Sequence, residues 1–422
     1  MRPWHSNCVA FYTGGIEMKK WIQRAAASLL AISTVAFAAV GYTGSSLADH
    51  YSVFSGDTLS FGNTGFLSSA VTGSEQRGAS NGSYQVDVKL FGMVPVKKVS
   101  VDVVDRQTVV PCGTPFGVKM FTQGVLVVSM SDVETADGTV NPAKQAGIQV
   151  GDVITQIEGK QVNTNEQVSE MVENSNGQPL KITAIHKNET YETTLTPVVS
   201  VSHTGYRAGM WVRDSSAGIG TLTFYSPQSG VFGGLGHAIC DVDTGEIMPL
   251  MTGEVVDVSI NDVVKAQSGS PGELRGSFAG AQDVGRLMQN TETGIYGVLF
   301  EAYTGHEAMP IALKQEVQEG EAEILATIDG DTPKKYSIKI EKVSYSEKAK
   351  TKNMVVKVTD PALLEKTGGI VQGMSGSPIL QNGHIVGAVT HVFVNDPTRG
   401  YGIFIENMLD GAQEIIEEQQ TQ

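Results

Sequence analysis

Two short segments in the N-terminal quarter of the chain alternate strictly between apolar and polar residues. Valine or leucine occupies every second position of residues 86–90 and 99–103, with charged or hydroxyl side chains between them. Strict alternation is typical of a strand with one buried face. The pattern therefore predicts two short strands that flank a bend at residues 92–95.

An uncharged run rich in apolar residues occupies Ala25–Tyr42, directly after Lys19, Lys20 and Arg24. A basic segment, an apolar run and small residues such as Ser46-x-Ala48 form the pattern of an export signal. The run has nearly the length at which a removable signal and a membrane anchor have the same hydropathy. We therefore expect residues 1–48 to be a leader, cleaved or retained as an anchor, that directs the following chain across the cytoplasmic membrane.

Residues 110–198 contain three features in a characteristic order. An apolar-Gly-apolar loop, Phe116-Gly117-Val118, precedes a Gly-Asp-Val-Ile turn at 151–154 and an amphipathic helix at 165–173, capped by Thr164 or Asn165. This order resembles a PDZ domain of the bacterial protease-associated type. In that family the loop offers backbone N–H groups to a peptide carboxylate, and the peptide adds a strand to the sheet edge. The resemblance implies that Phe116, Gly117 and Val118 bind peptides.

Composition narrows the class of protein. The chain has 422 residues, 41% of them hydrophobic, with 48 glycines and a net charge of −15. This glycine content favours tight turns and short strands, and the acidity argues against a nucleic-acid partner. Three cysteines cannot form a disulfide framework, and their spacing fits no zinc site. Cys8 lies in the leader, and we expect Cys112 and Cys240 to be small buried side chains, with one disulfide as the alternative.

The most informative segment for chemistry is Gly373-Met374-Ser375-Gly376-Ser377-Pro378, followed by an apolar run, Asn382-Gly383 and a second apolar run. Asn-Gly between two apolar runs predicts a two-residue hairpin. A Gly-x-Ser-Gly segment before such a hairpin is the arrangement of chymotrypsin-like peptidases. The pattern predicts that Ser375 is a nucleophile and that the N–H groups of Gly373 and Ser375 form an oxyanion hole.

A serine hydroxyl needs a base within hydrogen-bond reach. Among eight histidines, His237 lies in the glycine-rich segment 233–239 and precedes the serine, as in chymotrypsin-like peptidases. The alternative is a core histidine in a glycine turn. Spacing alone does not choose the carboxylate that would orient the imidazole. The candidates are Asp241, Asp243, Asp257, Asp262, Asp283 and Asp360.

Three longer motifs carry a second resemblance: the glycine-rich segment around His237, Thr359-Asp360-Pro361, and the segment 367–378 around Ser375. They resemble the stage IV sporulation protein B (SpoIVB) peptidases over nearly the whole chain. The resemblance implies a triad of His237, Asp360 and Ser375. It also implies secretion between the two membranes of the forespore, cleavage of a membrane-bound regulator that triggers sigma-factor processing, self-cleavage, and recognition through the PDZ domain. The alternative for Asp360 is a helix N-cap before Pro361.

Together these patterns predict a mostly β protein in which a PDZ domain is followed by a chymotrypsin-like barrel peptidase. The expected parts are a leader (1–48), a linker with a flexible spacer at 55–83 and a short β element (49–109), the PDZ domain (110–198) and the peptidase (199–422). No metal or organic cofactor is expected. The expected partners are a protein substrate near a membrane and peptide termini, which could include the N-terminal segment of the chain itself. The alternatives are a non-catalytic PDZ scaffold and a trypsin-like quality-control protease, in which the PDZ normally follows the peptidase.

Overall fold

The computed structural model of the chain describes residues 10–61, 67–71, 82–346 and 348–420. These residues form two compact units. The first comprises the described residues up to Val104 together with Tyr345 and Ser346, and the second comprises Asp105–Ser344 and the described residues from Lys348 onward. Much of the predicted spacer at 55–83, namely residues 62–66 and 72–81, lies outside the described residues.

The first unit consists of a long helix and a small sheet. Its elements are α1 (Ala10–Ser46), β1 (His50–Phe54), β2 (Leu67–Val71), β3 (Ser83–Leu90) and β4 (Val94–Val104), and the strand order is β1-β4-β3-β2. Val86 and Val88 on β3 and Val99 and Val101 on β4 are buried, which confirms the two predicted strands. Across the described residues, we find no helix that combines the length and the apolarity needed to cross a membrane.

The second unit contains the remaining elements. Those up to the middle of the chain are β5 (Thr108–Pro111), β6 (Pro115–Met130), β7 (Val133–Thr135), β8 (Gly138–Val140), α2 (Pro142–Gln145), β9 (Val153–Ile157), β10 (Lys160–Gln161), α3 (Asn165–Asn174), β11 (Leu180–His186), β12 (Glu189–Leu195), β13 (Val198–Val199), β14 (Tyr206–Arg207) and β15 (Met210–Tyr225). They are followed by β16 (Val231–Gly234), β17 (Leu250–Val264), β18 (Glu273–Thr291), β19 (Gly294–Leu299), β20 (Met309–Pro310), a 3₁₀ turn (Lys314–Glu316), β21 (Gly320–Ala326), β22 (Lys334–Val343), β23 (Met354–Val358), α4 (Pro361–Thr367), β24 (Pro378–Gln381), β25 (His384–Phe393), β26 (Asp396–Phe404) and α5 (Ile405–Gln420).

A first barrel is formed by β6, β17, β18, β19, β16 and β15. β6 pairs with β17 along one edge and with β15 along the other, and these two strands are joined through β18, β19 and β16, so the sheet closes on itself. Phe116, Val118 and Met120 point from β6 into the barrel core, where the Phe116 ring contacts Phe232 edge-on at 6.1 Å between centroids. Closure removes the free sheet edges that would otherwise need protection.

An α/β region, residues 131–209, is inserted between β6 and β15 of this barrel. The C-terminal end of β6 and the N-terminal end of β15 leave the barrel and continue into the insertion, where Val125 and Val127 join its apolar core. The predicted helix at 165–173 is α3, which begins with a capping box between Thr164 and Gln167. The barrel strand β6 precedes the inserted region and the barrel strand β15 follows it, whereas the sequence predicted a PDZ domain at 110–198 and a separate peptidase from residue 199. The 79 residues between the two paired strands (131–209) hide their pairing from any local pattern.

A second barrel closes in the order β21-β22-β23-β26-β25-β24. Asn382 and Gly383, both with positive φ, form the predicted two-residue turn between β24 and β25. α4 precedes β24 and starts with Asp360 as its N-cap and Pro361 as its first residue, and it ends at Gly368, which is left-handed. These local features place the Ser375 segment at the mouth of the second barrel.

Candidate active site

Both barrels contribute residues to one cavity of about 440 Å³. The first barrel supplies residues 216–220 of β15 together with Leu235 and residues 237–240 after β16. The second barrel supplies residues 370–373 and Ser375, together with Thr390, His391 and Val392 of β25. His237 and Ser375 both line this cavity, so the structure brings together the predicted nucleophile and the predicted base.

The backbone around Ser375 has an unusual conformation that only glycine adopts easily. Gly373 and Gly376 both have φ of 95°. A Cβ atom on Gly376 would lie 2.0 Å from the carbonyl oxygen of Thr221. The two glycines therefore let the chain turn sharply on both sides of the serine, close against β15.

This turn leaves two backbone donors free. Within the described structure, the N–H groups of Gly373 and Ser375 have no hydrogen-bond partner, and both residues line the cavity. The N–H groups of residues 372, 374, 376 and 377 all donate to backbone carbonyl groups. The unpaired donors are thus the two that were predicted to hold an oxyanion.

The hydroxyl of Ser375 and the ring of His237 each bond to a neighbouring carbonyl group. Ser375 Oγ donates to the carbonyl oxygen of Thr390 at 2.7 Å. Nδ1 of His237 lies 2.8 Å from the carbonyl oxygen of Ala238, and this acceptor assigns the proton to Nδ1. Nε2 is then unprotonated and able to accept a proton, as a general base must. Burial lowers the pKa of His237, which favours this neutral form.

A second histidine, His391, lies against the first. The ring centroids of His237 and His391 are 5.0 Å apart, and the rings are tilted by 37°. Nδ1 of His391 is buried and has no hydrogen-bond partner among the residues that the structure describes. Burial, followed by the charges of His237 and Lys352, lowers the pKa of His391 to about 4. His391 is therefore neutral near pH 7 and does not compete with His237 for a proton.

β15 holds the serine segment in place through Thr221. The hydroxyl of Thr221 donates to the Gly373 carbonyl at 2.7 Å, and its N–H donates to the Ser375 carbonyl at 3.0 Å. These bonds orient the peptide group between Gly373 and Met374 and the one between Ser375 and Gly376. Because the free N–H groups of Gly373 and Ser375 belong to the same segment, Thr221 fixes their direction as well.

Asp360 lies elsewhere in the structure. Its Oδ1 accepts from the N–H groups of Ala362 at 2.9 Å and Leu363 at 3.0 Å, and its Oδ2 accepts from Ser337 N at 3.3 Å. It is not among the residues that line the cavity. The structure thus does not bring Asp360 to His237, and its carboxylate serves as the N-cap of α4.

The other carboxylates considered from the sequence also lie away from the cavity. Asp241 and Asp243 both bind the guanidinium of Arg213. Asp257 and Asp283 line a different cavity, and Asp262 lies on an exposed position of β17. In the described part of the chain, no carboxylate lines the cavity that holds Ser375 and His237, and no cluster of three or more His, Cys, Asp or Glu residues could hold a metal ion.

The two cysteines of the second unit are both free. Cys112 is buried, as expected, and burial raises its pKa well above the ordinary value. Cys240 differs from the expectation, because it is exposed and lines the cavity that also holds Ser375 and His237.

Phe116, Gly117 and Val118, predicted to form a peptide-binding loop, lie in the middle of β6. Their backbones pair with β15 on one side and with β17 on the other. A Cβ atom on Gly117 would lie 2.5 Å from the Phe278 ring. We correct the prediction accordingly, because N–H groups inside a barrel wall are not available to a peptide carboxylate.

The structure offers another strand edge for peptide binding. Residues 210–213 of β15 pair with β6, and α3 lies beside this segment. Asp214 Oδ2 accepts from the N–H of Asn165 at 2.9 Å at one end of α3. The Arg207 guanidinium donates to Glu173 at 3.3 Å at the other end. A strand edge beside a helix is the arrangement in which PDZ domains bind peptides.

Sequence reasoning missed His391 and Thr221. His391 lies on the second strand of the hairpin that Asn382-Gly383 predicts, and this strand must return past Ser375. The hairpin was thus a usable signal for His391. Thr221 carried no local signal, because its bonds to Gly373 and Ser375 depend on the contact between the two barrels.

Comparison with known proteins gives two family matches. Residues 203–409 match the model described as SpoIVB peptidase S55, and residues 141–185, within the inserted region, match the PDZ domain. The search of curated proteins gave no match. Among solved structures, the PDZ domain of the SdrC-like protein from Listeria monocytogenes is 20% identical, with a TM-score of 0.18. That alignment covers 21% of this chain and 87% of that chain. The predicted fold class, mostly β with a PDZ domain and a barrel peptidase, is confirmed.

Proposed function

Because the chain belongs to the SpoIVB peptidase S55 family and is therefore a serine peptidase, we propose that Ser375 is its nucleophile and His237 its base, acting on a protein substrate at a membrane. One observation carries this proposal: the free N–H groups of Gly373 and Ser375 line the same cavity as the Ser375 hydroxyl and the His237 ring. A nucleophile, a base and an oxyanion hole are the parts that acyl transfer requires.

In this mechanism, Ser375 Oγ leaves the Thr390 carbonyl and attacks the substrate carbonyl carbon while His237 Nε2 takes its proton. The carbonyl electron pair moves to the oxygen, which the Gly373 and Ser375 N–H groups stabilise. The tetrahedral intermediate then collapses, the C–N bond breaks, and the amine leaves with the proton from His237. Water repeats the sequence on the acyl-enzyme, gives its proton to His237 and releases the acid.

We assign the orientation of His237 to the Ala238 carbonyl and to the adjacent ring of His391. The bond to Ala238 holds the tautomer that a triad carboxylate holds in other serine peptidases. Asp360 contributes as a positioning residue. Its carboxylate caps α4, and α4 leads through Gly368 into the segment that carries Ser375. This role replaces the direct one that the family resemblance implied for Asp360.

The PDZ domain is proposed to bind a peptide terminus at the edge of β15 formed by residues 210–213. The peptide would lie between this edge and α3. Its source would be the substrate or the N-terminal segment of the chain. Backbone pairing would provide affinity, and the adjacent side chains would provide selectivity.

The biological setting follows from the leader and the family. Export across the cytoplasmic membrane would place the enzyme between the forespore and mother-cell membranes. There it would cleave a membrane-bound regulator and so trigger sigma-factor processing. Self-cleavage near the N-terminus would release the enzyme from the leader. The support for this setting is the basic and apolar pattern of residues 19–48 and the sporulation family.

The test compares the full chain in detergent with Ser375→Ala, His237→Ala and Ser377→Ala. Ser377 is the matched control, because its hydroxyl is buried, lacks a hydrogen-bond partner in the described part of the chain and lies two residues from the nucleophile. We expect Ser375→Ala and His237→Ala to lower kcat for a peptide ester by about 10⁴-fold or more. Ser377→Ala should keep its activity. Intact-mass measurement should show self-cleavage of the wild type and no self-cleavage of Ser375→Ala.

A folded wild-type chain that hydrolyses neither esters nor peptides would contradict the proposal. If a fluorophosphonate also failed to label Ser375, the results would favour a non-catalytic PDZ scaffold on a peptidase fold. Circular dichroism of the same samples would show that the chain is folded.

A further inference from the structure

We propose that the substrate segment on the C-terminal side of the cleaved bond adds as an antiparallel strand to the free edge of β15. β15 connects the PDZ domain, at Met210, with the Ser375 segment, at Thr221. The enzyme would therefore prefer proteins with a free C-terminus about ten residues beyond the cleaved bond. The inference rests on the proposed function, and it adds a substrate class and a geometric rule.

The first observation is the one-sided pairing of β15. One edge of this strand pairs with β6 from Met210 to Thr221. β5 continues this same edge at Phe224 and Tyr225, and the other edge pairs with β16 only near its end, at residues 222–225. Within the described part of the chain, no strand pairs with that second edge between residues 210 and 220. An unpaired edge of this length is a template for another strand.

The second observation is the direction of the backbone groups near the nucleophile. The Thr221 N–H points away from β6 and donates to the Ser375 carbonyl, and the Thr221 carbonyl accepts from Leu235. Backbone groups alternate between the two edges of a strand. Ile219 and Ala217 therefore point their N–H and C=O groups to the same side as Thr221. Both residues line the catalytic cavity.

The third observation is polarity. β15 runs from the PDZ domain at Met210 to the serine segment at Thr221. A substrate strand antiparallel to β15 runs the opposite way, so its N-terminal side lies at Ser375 and its C-terminal side lies at Met210. PDZ domains hold free C-termini at the start of the strand that pairs with the peptide. Here that start contains Gly209, with φ of 79°, and the Arg207 guanidinium.

The distance sets the length of the segment. From Ile219 to Met210, an extended strand covers roughly 30 Å at about 3.3 Å per residue. The register with β6 shifts between Arg213 and Ser215, where β15 passes from the barrel into the PDZ domain. A substrate strand follows the same bend. A segment of about ten residues therefore reaches from the cavity to the PDZ end.

The test uses peptides that share one cleavage sequence and carry roughly 4, 7, 10, 13 or 16 residues between the cleaved bond and the free carboxyl group. A peptide ester without residues beyond the bond reports the catalytic centre alone. We expect kcat/KM for the peptides to peak near ten residues and to fall about tenfold when that peptide is amidated at its C-terminus. A flat length dependence, with the ester still hydrolysed in a Ser375-dependent manner, would overturn this inference and leave the proposed function intact.

A pair of variants tests the strand edge directly. Ala217→Pro removes an N–H that points away from β6, so the pairing with β6 is kept. Ala217→Val keeps the N–H and is the matched control. We expect Ala217→Pro to lower the ratio of kcat/KM for the ten-residue peptide to that for the ester about tenfold, and Ala217→Val to retain the ratio. Equal ratios in the two variants would show that the edge is not used. An ester that the wild type does not hydrolyse would instead contradict the proposed function.

Discussion

Asp360 provides a sharp test of how this active site works, because two roles predict opposite behaviour for one substitution. As an N-cap, its carboxylate needs only an acceptor oxygen. As a triad acid, it needs its negative charge. Asp360→Asn keeps an acceptor oxygen and removes the charge, whereas Asp360→Ala removes both.

The magnitudes separate the two roles clearly. Asparagine and aspartate are about equally good N-caps, and replacement by alanine costs about 0.5–2 kcal/mol. Asp360 accepts from three N–H groups, at 2.9, 3.0 and 3.3 Å, so we place its loss near the upper end of that range. Loss of the charge of a triad carboxylate lowers kcat by about 10⁴-fold, which corresponds to about 5.5 kcal/mol.

We therefore expect Asp360→Asn to retain kcat within about tenfold and to lose only the 3.3 Å bond from Ser337 N, so that its thermal midpoint stays above that of Asp360→Ala. Asp360→Ala should lower the midpoint and reduce activity partially. The assay is hydrolysis of a peptide ester, normalised by active-site titration, with thermal unfolding of the same samples. Asp329→Asn is the matched control, since Asp329 is an exposed carboxylate that pairs with Lys366 of α4 at 2.9 Å.

The positioning role is refuted if Asp360→Asn is as inactive as Ser375→Ala while its thermal midpoint is unchanged. That result would mean that the charge itself acts on His237. The site would then have to rearrange on binding substrate, so that Asp360 leaves its cap and reaches the cavity.

Three further predictions concern pH and the serine segment. Burial lowers the pKa of His237, so the acid limb of kcat/KM should have its midpoint below about 6.5, the ordinary histidine value, and a midpoint at or above that value would contradict the assignment of the base. The pKa of His391 in the folded state is about 4, so the unfolded chain binds more protons than the folded chain below about pH 6.5. The free energy of unfolding should therefore fall as the pH drops from about 6.5 to about 4. Thermal unfolding at several pH values should show a weaker fall for His391→Phe. Thr221→Val removes the hydroxyl that donates to the Gly373 carbonyl at 2.7 Å. We expect kcat to fall about 10- to 100-fold at nearly constant KM, which approaches the effect of removing one oxyanion-hole donor. A change in KM alone would mean that Thr221 acts on substrate binding.

Local features of this protein could be predicted from its sequence. The strands around residues 86–90 and 99–103, the helix after Thr164 and the hairpin at Asn382-Gly383 all lie where the pattern indicates. Each depends on residues a few positions apart: side-chain alternation, a capping box or a turn with positive φ. The N-cap at Asp360 belongs to the same group, because Asp-Pro before apolar residues is a helix start at short range.

Only the tertiary structure shows which residues that are far apart in the sequence come into contact. Phe116-Gly117-Val118 has the local pattern of a peptide-binding loop, yet it is a barrel strand because Gly117 pairs with Ile219 on one side and Val256 on the other. Likewise, His391 meets His237, and Thr221 meets Gly373, only where the two barrels pack together. The amino-acid sequence by itself determines the residue types and the local geometry of short segments. Which residues meet across the cavity depends on strand pairing and burial over long separations, and these appear only when the barrels close.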